Sequence, residues 1–540
     1  MTSLLLFTSI ILLTCSLLKK MSARLGIPAL LTFILLGMLL GSDGLFKIPF
    51  EDYEFAEQLS SIALIFIMFY GGFGTNWNAA RPVAAVSIIL SSLGTILTAV
   101  LTGLFCHFIL KLPILEGMLL GAVLGSTDAA SVFSILRSRK LALKENTDSL
   151  LEVESGSNDP FAYMLTIIIL SAMETGSTSF SMVISLLAKQ IVFGLLLGFG
   201  IGFAARWAMQ KYRFNNSGGE TIFIVAIALF SYASASFLGG NGFLSVYIVG
   251  IILGNSKLPD KWTLVPFFDG VTGNMQAVLF FLLGLLSFPA QMTKVLLPAL
   301  GIALFLAFIA RPIVVFLLML PFGGSNRRRA LVSFSGLRGA ASIVFAITTV
   351  LSPVNMENDL FHIVFVVVLF SITIQGSLLP LAAKKLKMID ETGDILKTFT
   401  DYEDETPVNS IQFEITKDHT WCGKTVSELI LPPSSILVNL RRGDKHMVPK
   451  GDTRLLDGDI LVMCTLECDN IPDFYLTEKV LDENDSETGK FLSDLPNRSD
   501  SLIILIQRGD EYLIPDGNTI LKSKDRLLIN YTDVEASEEI

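Results

Sequence analysis

Thirteen apolar stretches of 16 to 31 residues fill the first 387 positions and constrain the fold more than any other feature. The hydrocarbon core of a bilayer is about 30 Å thick, so a spanning helix needs roughly 17–25 mainly apolar residues. Only 17% of the chain is charged, which excludes an ordinary soluble protein. We therefore predict a polytopic α-helical membrane protein with about thirteen spans, at 3–18, 27–42, 58–74, 83–110, 114–136, 157–174, 180–210, 220–238, 240–255, 265–287, 294–321, 330–351 and 359–384.

Basic residues divide unevenly between alternate loops. With the N-terminus outside, the loops on the inner side carry 19 Lys and Arg residues and the outer loops carry only Lys47, Lys111 and Lys294. Cytoplasmic loops are enriched in Lys and Arg, so the pattern predicts a multi-pass protein of the inner or plasma membrane with a cytosolic C-terminal tail. Lys19 and Lys20 follow the first apolar run instead of preceding it, which argues against a signal peptide.

The tail differs from the membrane part in charge. Residues 1–387 hold 25 Lys and Arg against 18 Asp and Glu, whereas residues 388–540 hold 15 against 32. Such an asymmetry indicates two parts in different solvents. It also disfavours a nucleic-acid partner, because a phosphate backbone needs a basic face.

Two units of the tail match at a fixed offset of 66 residues. A single offset over many positions is evidence of duplication. We therefore divide the chain into a transmembrane domain at 1–387, a linker at 388–410, and small α/β subdomains at 411–468 and 469–540. The matched positions include Gly423-Lys424 with Gly489-Lys490, Arg442-Gly443-Asp444 with Arg508-Gly509-Asp510, and Asp459 with Asp525.

The tail units resemble the C-terminal subdomain of modules that regulate potassium conductance in bacterial transporters and channels. The likeness rests on the form GKTVSEL…ILVNLRRGD…VPKGDTRLLDGDILVM. The companion Rossmann subdomain is missing, because no GxGxxG follows a strand. The resemblance implies a regulatory module for a small ligand or a cyclic dinucleotide, and a merely stabilising appendage is the alternative.

Asp159 is the first candidate for chemistry inside the membrane, where charged side chains are costly and usually functional. It lies in the run ESGSNDP at 154–160. On a helix Ser155 and Asp159 share one face, and Pro160 leaves the carbonyl of Gly156 without its helical hydrogen bond. Hydroxyl, carboxylate and bare carbonyl oxygens suit a weakly held monovalent cation. A satisfied helix cap at the membrane edge is the alternative.

Two more runs interrupt apolar spans. Asp128 lies in GSTDAAS at 125–131, where polar and glycine residues predict an unwound fifth span or, alternatively, a small-residue packing face. Arg338 lies in SGLRGAAS at 335–342 in the twelfth span. Because the two spans are seven apart, six-helix repeats of opposite topology are predicted. Arg338 needs an acidic partner, for which we predict Glu154, whereas Lys189 and Arg311 are either structural pairs or snorkelling ends.

The runs STDAA (126–130), ESGSNDP (154–160) and GLRGA (336–340), in this order, resemble those of the cation/proton antiporter superfamily. The likeness is to its monovalent cation:proton antiporter 1 branch and to the bacterial potassium/proton antiporters of cell volume regulation, over residues 1–385. It implies that Asp159 holds a proton and a cation in turn, and that Glu154 and Arg338 form a structural ion pair. The implied cation ligands are Asp159, Asp128, Thr127, Ser155 and Asn158.

The sequence thus predicts a secondary antiporter that exchanges protons for K⁺ by alternating access, without a cofactor. Na⁺ stays open, because oxygen ligands suit both cations. A ligand-gated cation channel would need a filter such as TVGYG, which does not occur. A membrane sensor would carry a vestigial transport site, whereas both Asp128 and Asp159 are present. A membrane enzyme is disfavoured, because none of the four His residues lies beside a nucleophile and an acid.

The resemblance also bears on assembly and stoichiometry. It implies a homodimer surrounded by membrane lipid. Relatives that move net charge carry two adjacent carboxylates where this chain has Asn158 and Asp159. One carboxylate in place of two implies that one proton exchanges for one cation, without net charge movement.

Overall fold

The computed structural model divides into two compact units, a membrane unit up to residue 404 and a tail unit from residue 405. The membrane unit is helical, and the tail unit contains two four-stranded antiparallel sheets. The structure describes residues 9, 13–14, 29–138, 141–176, 179–212, 217–256, 258, 261–390, 408–417, 419–432, 435–443, 445–466, 475–482, 485, 487–495, 501–509 and 511–531.

Apolar helices make up the membrane unit. Among the described residues, seven helices are long and apolar enough to cross a membrane, and four shorter apolar helices accompany them. Three spans continue through one π-helical turn, at Leu90–Gly94, Leu306–Ala310 and Ser371–Gln375. The α-helices are α1 Ala29–Leu40, α2 Tyr53–Gly74, α3 Trp77–Ala80, α4 Ala84–Ile89, α5 Thr95–Phe108, α6 Ile114–Val123, α7 Ala129–Ser138, α8 Thr147–Thr175, α9 Phe180–Lys211, α10 Ser217–Phe237, α11 Gly242–Gly254, α12 Lys261–Leu285, α13 Pro289–Phe305, α14 Arg311–Met319, α15 Asn326–Phe334, α16 Ala340–Leu351, α17 Leu360–Phe370 and α18 Gly376–Lys385.

The predicted helical membrane fold is confirmed. Twelve of the thirteen predicted spans coincide with described helices, and the first, 3–18, lies outside the described residues except for positions 9, 13 and 14. The sixth span begins ten residues earlier than predicted, because α8 starts at Thr147. Its first turns carry polar residues such as Ser149 and Glu152 that other helices bury. Hydropathy identifies apolar helices that face lipid, so it does not reveal polar helical turns that are buried by the rest of the protein.

Two spans are each built from two half-helices. Residues 124–128, the first break, separate α6 from α7, and residues 335–339, the second break, separate α15 from α16. The breaks meet, since the backbone N–H of Asp128 donates to the carbonyl of Leu337 at 2.8 Å. They occupy the fifth and twelfth predicted spans, and the first two π-turns occupy the fourth and eleventh. This spacing of seven agrees with the predicted inverted repeats.

Glycines set the closest helix crossings. A Cβ on Gly72 of α2 would lie 2.3 Å from the carbonyl oxygen of Tyr247 in α11, and one on Gly250 of α11 would lie 2.3 Å from that of Phe69. Cβ atoms do not approach a carbonyl oxygen this closely, so a larger residue at either position would push the two helices apart. Small residues at such crossings let membrane helices pack backbone to backbone.

The two sheets of the tail unit have the same topology. The strands are β3 Val408–Glu414, β4 Ser435–Arg442, β5 Lys445–Met447, β6 Asp459–Leu466, β7 Tyr475–Val480, β8 Ser501–Arg508, β9 Glu511–Leu513 and β10 Arg526–Tyr531. The strand orders are β3-β6-β4-β5 and β7-β10-β8-β9, and in the described residues each subdomain adds a single 3-10 turn as its helical element.

One ion pair recurs in both sheets. Arg442 binds Asp459 at 2.7 Å, and Arg508 binds Asp525 at 2.6 Å. Burial of Asp459 opposes its ionisation, but the hydrogen bonds from Arg442 outweigh this effect and hold the pKa of Asp459 below its usual range. Asp525 is held in the same way by Arg508. The repeated sequence positions therefore build repeated structure.

The chain that leaves the last membrane helix is tied to the loop before α8. Strand β2, Ile389–Asp390, pairs antiparallel with β1, Ala142–Leu143. Next to this pair the N–H of Lys144 donates to the carbonyl of Met388 at 2.9 Å, and the Met388 side chain is buried in an apolar cluster. β2 and the start of β3 fall within the predicted linker at 388–410, of which residues 391–407 lie outside the described residues.

Candidate cation-binding site

Asp159 lies near the middle of α8, where the first break passes alongside the helix. Its side chain is only 6% exposed. The hydroxyl of Ser126, in the first break, donates a hydrogen bond to Oδ1 of Asp159. A carboxylate held so deep in the membrane unit is costly unless a proton or a cation balances its charge.

Polar side chains of α8 bind Thr127 from several directions. The Ser155 hydroxyl donates to the Thr127 carbonyl at 2.6 Å, and Asn158 accepts from the Thr127 N–H at 3.3 Å through Oδ1. The Asn158 amide also donates to the Thr127 hydroxyl. Carbonyl and hydroxyl oxygens keep a further lone pair when they hydrogen bond. The polar groups of Thr127 and Ser155 thus lie together at the first break, next to Ser126, which binds Asp159.

Asp128 caps the half-helix that follows the first break. Its Oδ1 accepts the N–H of Ser131 at 3.1 Å, and its Oδ2 accepts the Ser131 hydroxyl. The same carboxylate faces the start of α16, because a Cβ on Gly339 would lie 2.3 Å from its Oδ2. Helix N-termini attract negative charge. Asp128 thus lies where two half-helices begin.

Arg338 extends from the second break to the first. Its Nη1 donates to the carbonyls of Ser126 at 2.8 Å and Gly125 at 3.1 Å, and its backbone N–H donates to the Ser371 hydroxyl at 2.9 Å. These carbonyls follow the end of α6, where helical hydrogen bonds cease. A cation there matches the negative end of the helix dipole.

Glu154 binds a different arginine from the one predicted. Its Oε1 accepts a hydrogen bond from Nη2 of Arg311, and both side chains are buried. The predicted Glu154–Arg338 ion pair is therefore wrong. The second break directs the Arg338 guanidinium to backbone carbonyls. The Arg311 side chain, from the start of α14, passes over Gly336, because a Cβ on Gly336 would lie 2.9 Å from Nε of Arg311.

Sequence reasoning missed several residues that support these elements. Ser126 belongs to the STDAA run but is not among the predicted site residues. Ser371 and Gln375 interrupt an apolar span, and Gln375 donates to the carbonyl of Phe334 at the end of α15, at 2.6 Å. Asn241 donates to the carbonyl of Pro160 at 2.9 Å. Isolated polar residues within apolar runs were the available signal.

The family comparisons agree with this arrangement. The model of the sodium/hydrogen exchanger transmembrane family matches residues 9–385. The TrkA-C domain model matches twice, at residues 411–466 and 476–536.

Curated relatives are similar over most of the chain. The K(+)/H(+) antiporter NhaP2 of Shewanella baltica (strain OS223) is 34% identical over 82% of this chain and 78% of the relative. The K(+)/H(+) antiporter NhaP of Alkalimonas amylolytica is 35% identical over 84% and 79%. The probable Na(+)/H(+) antiporter 2 of Methanocaldococcus jannaschii is 26% identical over 67% and 92%.

Solved structures share the fold of the membrane unit. The sodium proton antiporter MjNhaP1 of Methanocaldococcus jannaschii at pH 8 superposes with a TM-score of 0.62 at 22% identity, over 70% of this chain and 97% of that one. A second structure of MjNhaP1, from electron microscopy, gives 0.63 at 23% identity, over 72% and 98%. At this level of identity the likeness concerns the fold alone.

Proposed function

Because the chain belongs to the sodium/hydrogen exchanger family, and so is a cation/proton antiporter and not an enzyme, we propose that it exchanges protons for K⁺ at Asp159. The observation that carries the proposal is the buried Asp159 carboxylate beside the oxygens of Ser126, Ser155 and Thr127. The carboxylate needs a compensating positive charge, which either a proton or a cation supplies. Competition between the two for one carboxylate couples their movements.

The names of the relatives support K⁺ as the cation, since those at 34–35% identity are called K(+)/H(+) antiporters. Na⁺ is the second candidate, supported by the name of the more distant relative, the probable Na(+)/H(+) antiporter 2 of Methanocaldococcus jannaschii. Oxygen ligands alone suit both ions, so the choice between them depends on the size of the occupied site.

Proton flux in proteoliposomes tests the proposal. Vesicles that contain the full chain and an internal pH dye are given K⁺, Na⁺ or Li⁺ at equal concentration. We expect K⁺ to drive proton movement at a lower concentration than Na⁺ does. A response to Na⁺ but not to K⁺ would contradict the choice of cation, and no response to any of the three would contradict exchange altogether.

The stoichiometry is expected to be one proton for one cation. Asn158, next to Asp159, bonds Thr127 through both ends of its amide, and Asp128 serves as a helix cap. This leaves Asp159 as the carboxylate that exchanges ions. Moving one net charge would couple to voltage by about 2.3 kcal/mol per 100 mV, which shifts the exchange equilibrium about 50-fold.

We therefore expect the same K⁺/H⁺ equilibrium at zero potential and under an imposed voltage of about 100 mV in reconstituted vesicles. Asn158→Asp provides the comparison, because it restores a second carboxylate at the adjacent position. A voltage-driven shift in the unmodified protein would implicate Asp128 as a second carrier.

The tail, by this proposal, regulates exchange from the cytosol. The supporting observations are the 19 basic residues on the inner side of the membrane part and the two TrkA-C matches. A small ligand such as a cyclic dinucleotide is the proposed effector, and the homodimer implied by the resemblance stays a prediction. The β1–β2 pair is the proposed link between the tail and α8, because it joins the chain that leads to the tail with the loop before α8.

Truncation separates regulation from exchange. A chain that ends after Asp390 keeps β2 and is expected to exchange ions, with altered dependence on pH or on cytosolic ligand. A chain that ends after Lys387 loses β2 and the buried Met388, and we expect lower thermal stability as well. The measurements are proton flux and melting temperature of both chains. A folded but inactive chain ending at Asp390 would mean that the tail takes part in transport itself.

A further inference from the structure

One face of α8 carries two buried carboxylates. Glu152, Gly156 and Asp159 follow one another at helical spacing, so they lie along the same side of the helix. Seven residues of helix place Glu152 about 10 Å along the axis from Asp159. Glu152 is only 7% exposed. Gly156 lies between the two carboxylates on this side of the helix.

The side chain of Tyr247, in α11, packs against Gly156 between the two carboxylates. A Cβ on Gly156 would lie 2.5 Å from the Tyr247 ring and 2.8 Å from its hydroxyl, so the ring rests directly on the glycine backbone. Tyr247 is 3% exposed, and its hydroxyl makes no hydrogen bond to any residue that the structure describes. Buried polar groups are nearly always satisfied, and an exception calls for a water, an ion or a functional role.

Further oxygens surround this hydroxyl. The hydroxyls of Ser157 and Thr75 and the carboxylate of Glu152 are near enough to act on the Tyr247 hydroxyl. The Thr75 hydroxyl donates to the carbonyl of Gly71 at 2.8 Å, which leaves its lone pairs available. Pro160 has no N–H for the carbonyl of Gly156. Among the residues that the structure describes, the groups that act on the Tyr247 hydroxyl are therefore two hydroxyls and one carboxylate.

We propose that these groups form a second cation site, the Tyr247 site, defined by the hydroxyls of Tyr247, Ser157 and Thr75 and the carboxylate of Glu152. The transported monovalent cation occupies it on the way between the N-terminal end of α8 and Asp159. Glu152 supplies the balancing charge, and the hydroxyls replace part of the hydration shell. The inference rests on the proposed exchange at Asp159.

Exchange kinetics test the Tyr247 site. Tyr247→Phe keeps the ring on Gly156 and removes the hydroxyl, and Glu152→Gln removes the charge. In proteoliposomes we expect each change to raise the KM for K⁺ about tenfold, the loss of roughly one oxygen ligand, with exchange retained at saturating K⁺. Because both changes affect one site, the double variant should raise the KM by well under the product of the two single effects.

Tyr163→Phe is the matched control. Tyr163 also belongs to α8, but its ring contacts Phe243 and Phe345, and we expect an unchanged KM. If the hydroxyl of Tyr247 only aids packing, its loss should shift the melting temperature and leave the KM of each alkali cation unchanged. That result in both Tyr247→Phe and Glu152→Gln would overturn the inference.

Direct detection of the ion does not depend on activity. Crystals of the full chain soaked in Tl⁺, which resembles K⁺ in size and scatters anomalously, should show a peak beside the Tyr247 hydroxyl that Glu152→Gln weakens. The absence of this peak, with a Tl⁺ peak present at Asp159, would overturn the Tyr247 site and leave the proposed function intact. Wild-type protein without any K⁺-driven proton flux would instead overturn the proposed function.

Discussion

Replacing Asp159 with asparagine is expected to reduce K⁺/H⁺ exchange to the background of protein-free vesicles while the protein stays folded. The amide has the shape of the carboxylate but can neither take up and release the proton nor balance the charge of a cation. Its oxygen can still accept the hydrogen bond of the Ser126 hydroxyl. Because the change removes a buried charge and no packing volume, we expect the melting temperature to be kept or raised.

The measurement is the initial rate of K⁺-driven proton flux in vesicles, with the melting temperature recorded on the same preparation. Glu174→Gln is a matched control, since Glu174 lies on α8 but is exposed and far along the helix from Asp159. We expect this control to exchange ions at the unmodified rate. Robust exchange by a purified Asp159→Asn protein would remove Asp159 from the transport step.

The positions of the breaks were predictable because they are local features. Runs such as STDAA and SGLRG place polar and glycine residues inside apolar spans, and such runs cannot continue as lipid-facing helix. The structure interrupts both spans there and joins them through Asp128 and Leu337. The assignment of Asp159, Asp128, Thr127, Ser155 and Asn158 as cation ligands stays a prediction, although hydrogen bonds link the first break to α8.

The choice of ion-pair partner was not predictable from the chain. Glu154, Arg311 and Arg338 are all buried charges in separate spans, and sequence distance does not say which two meet. Backbone carbonyls at the first break compete for an arginine, and only the fold reveals that Arg338 binds them. The first turns of α8 were missed for a similar reason, since hydropathy describes how apolar a segment is and not whether the rest of the protein buries it.

Removing Arg311 should therefore destabilise the protein more than removing Arg338. Arg311→Met leaves the Glu154 carboxylate charged and buried without its partner, which costs about 3–5 kcal/mol. The expected fall in melting temperature is roughly 5–10 °C. Combining it with Glu154→Gln removes both charges and should restore much of the loss, because apolar or neutral replacement of a whole buried pair is often nearly neutral.

Arg338→Met is the discriminating comparison, because it leaves the Glu154–Arg311 pair intact and removes the hydrogen bonds to the carbonyls of Gly125 and Ser126. Losing these hydrogen bonds costs about 1–3 kcal/mol of stability, and the addition of Glu154→Gln should not restore this stability. Melting temperatures of the single and double variants then give two coupling energies, one for each arginine with Glu154. The structure requires the larger coupling for Arg311. A larger coupling with Arg338 would mean that the pair predicted from the sequence is the one that forms in the membrane.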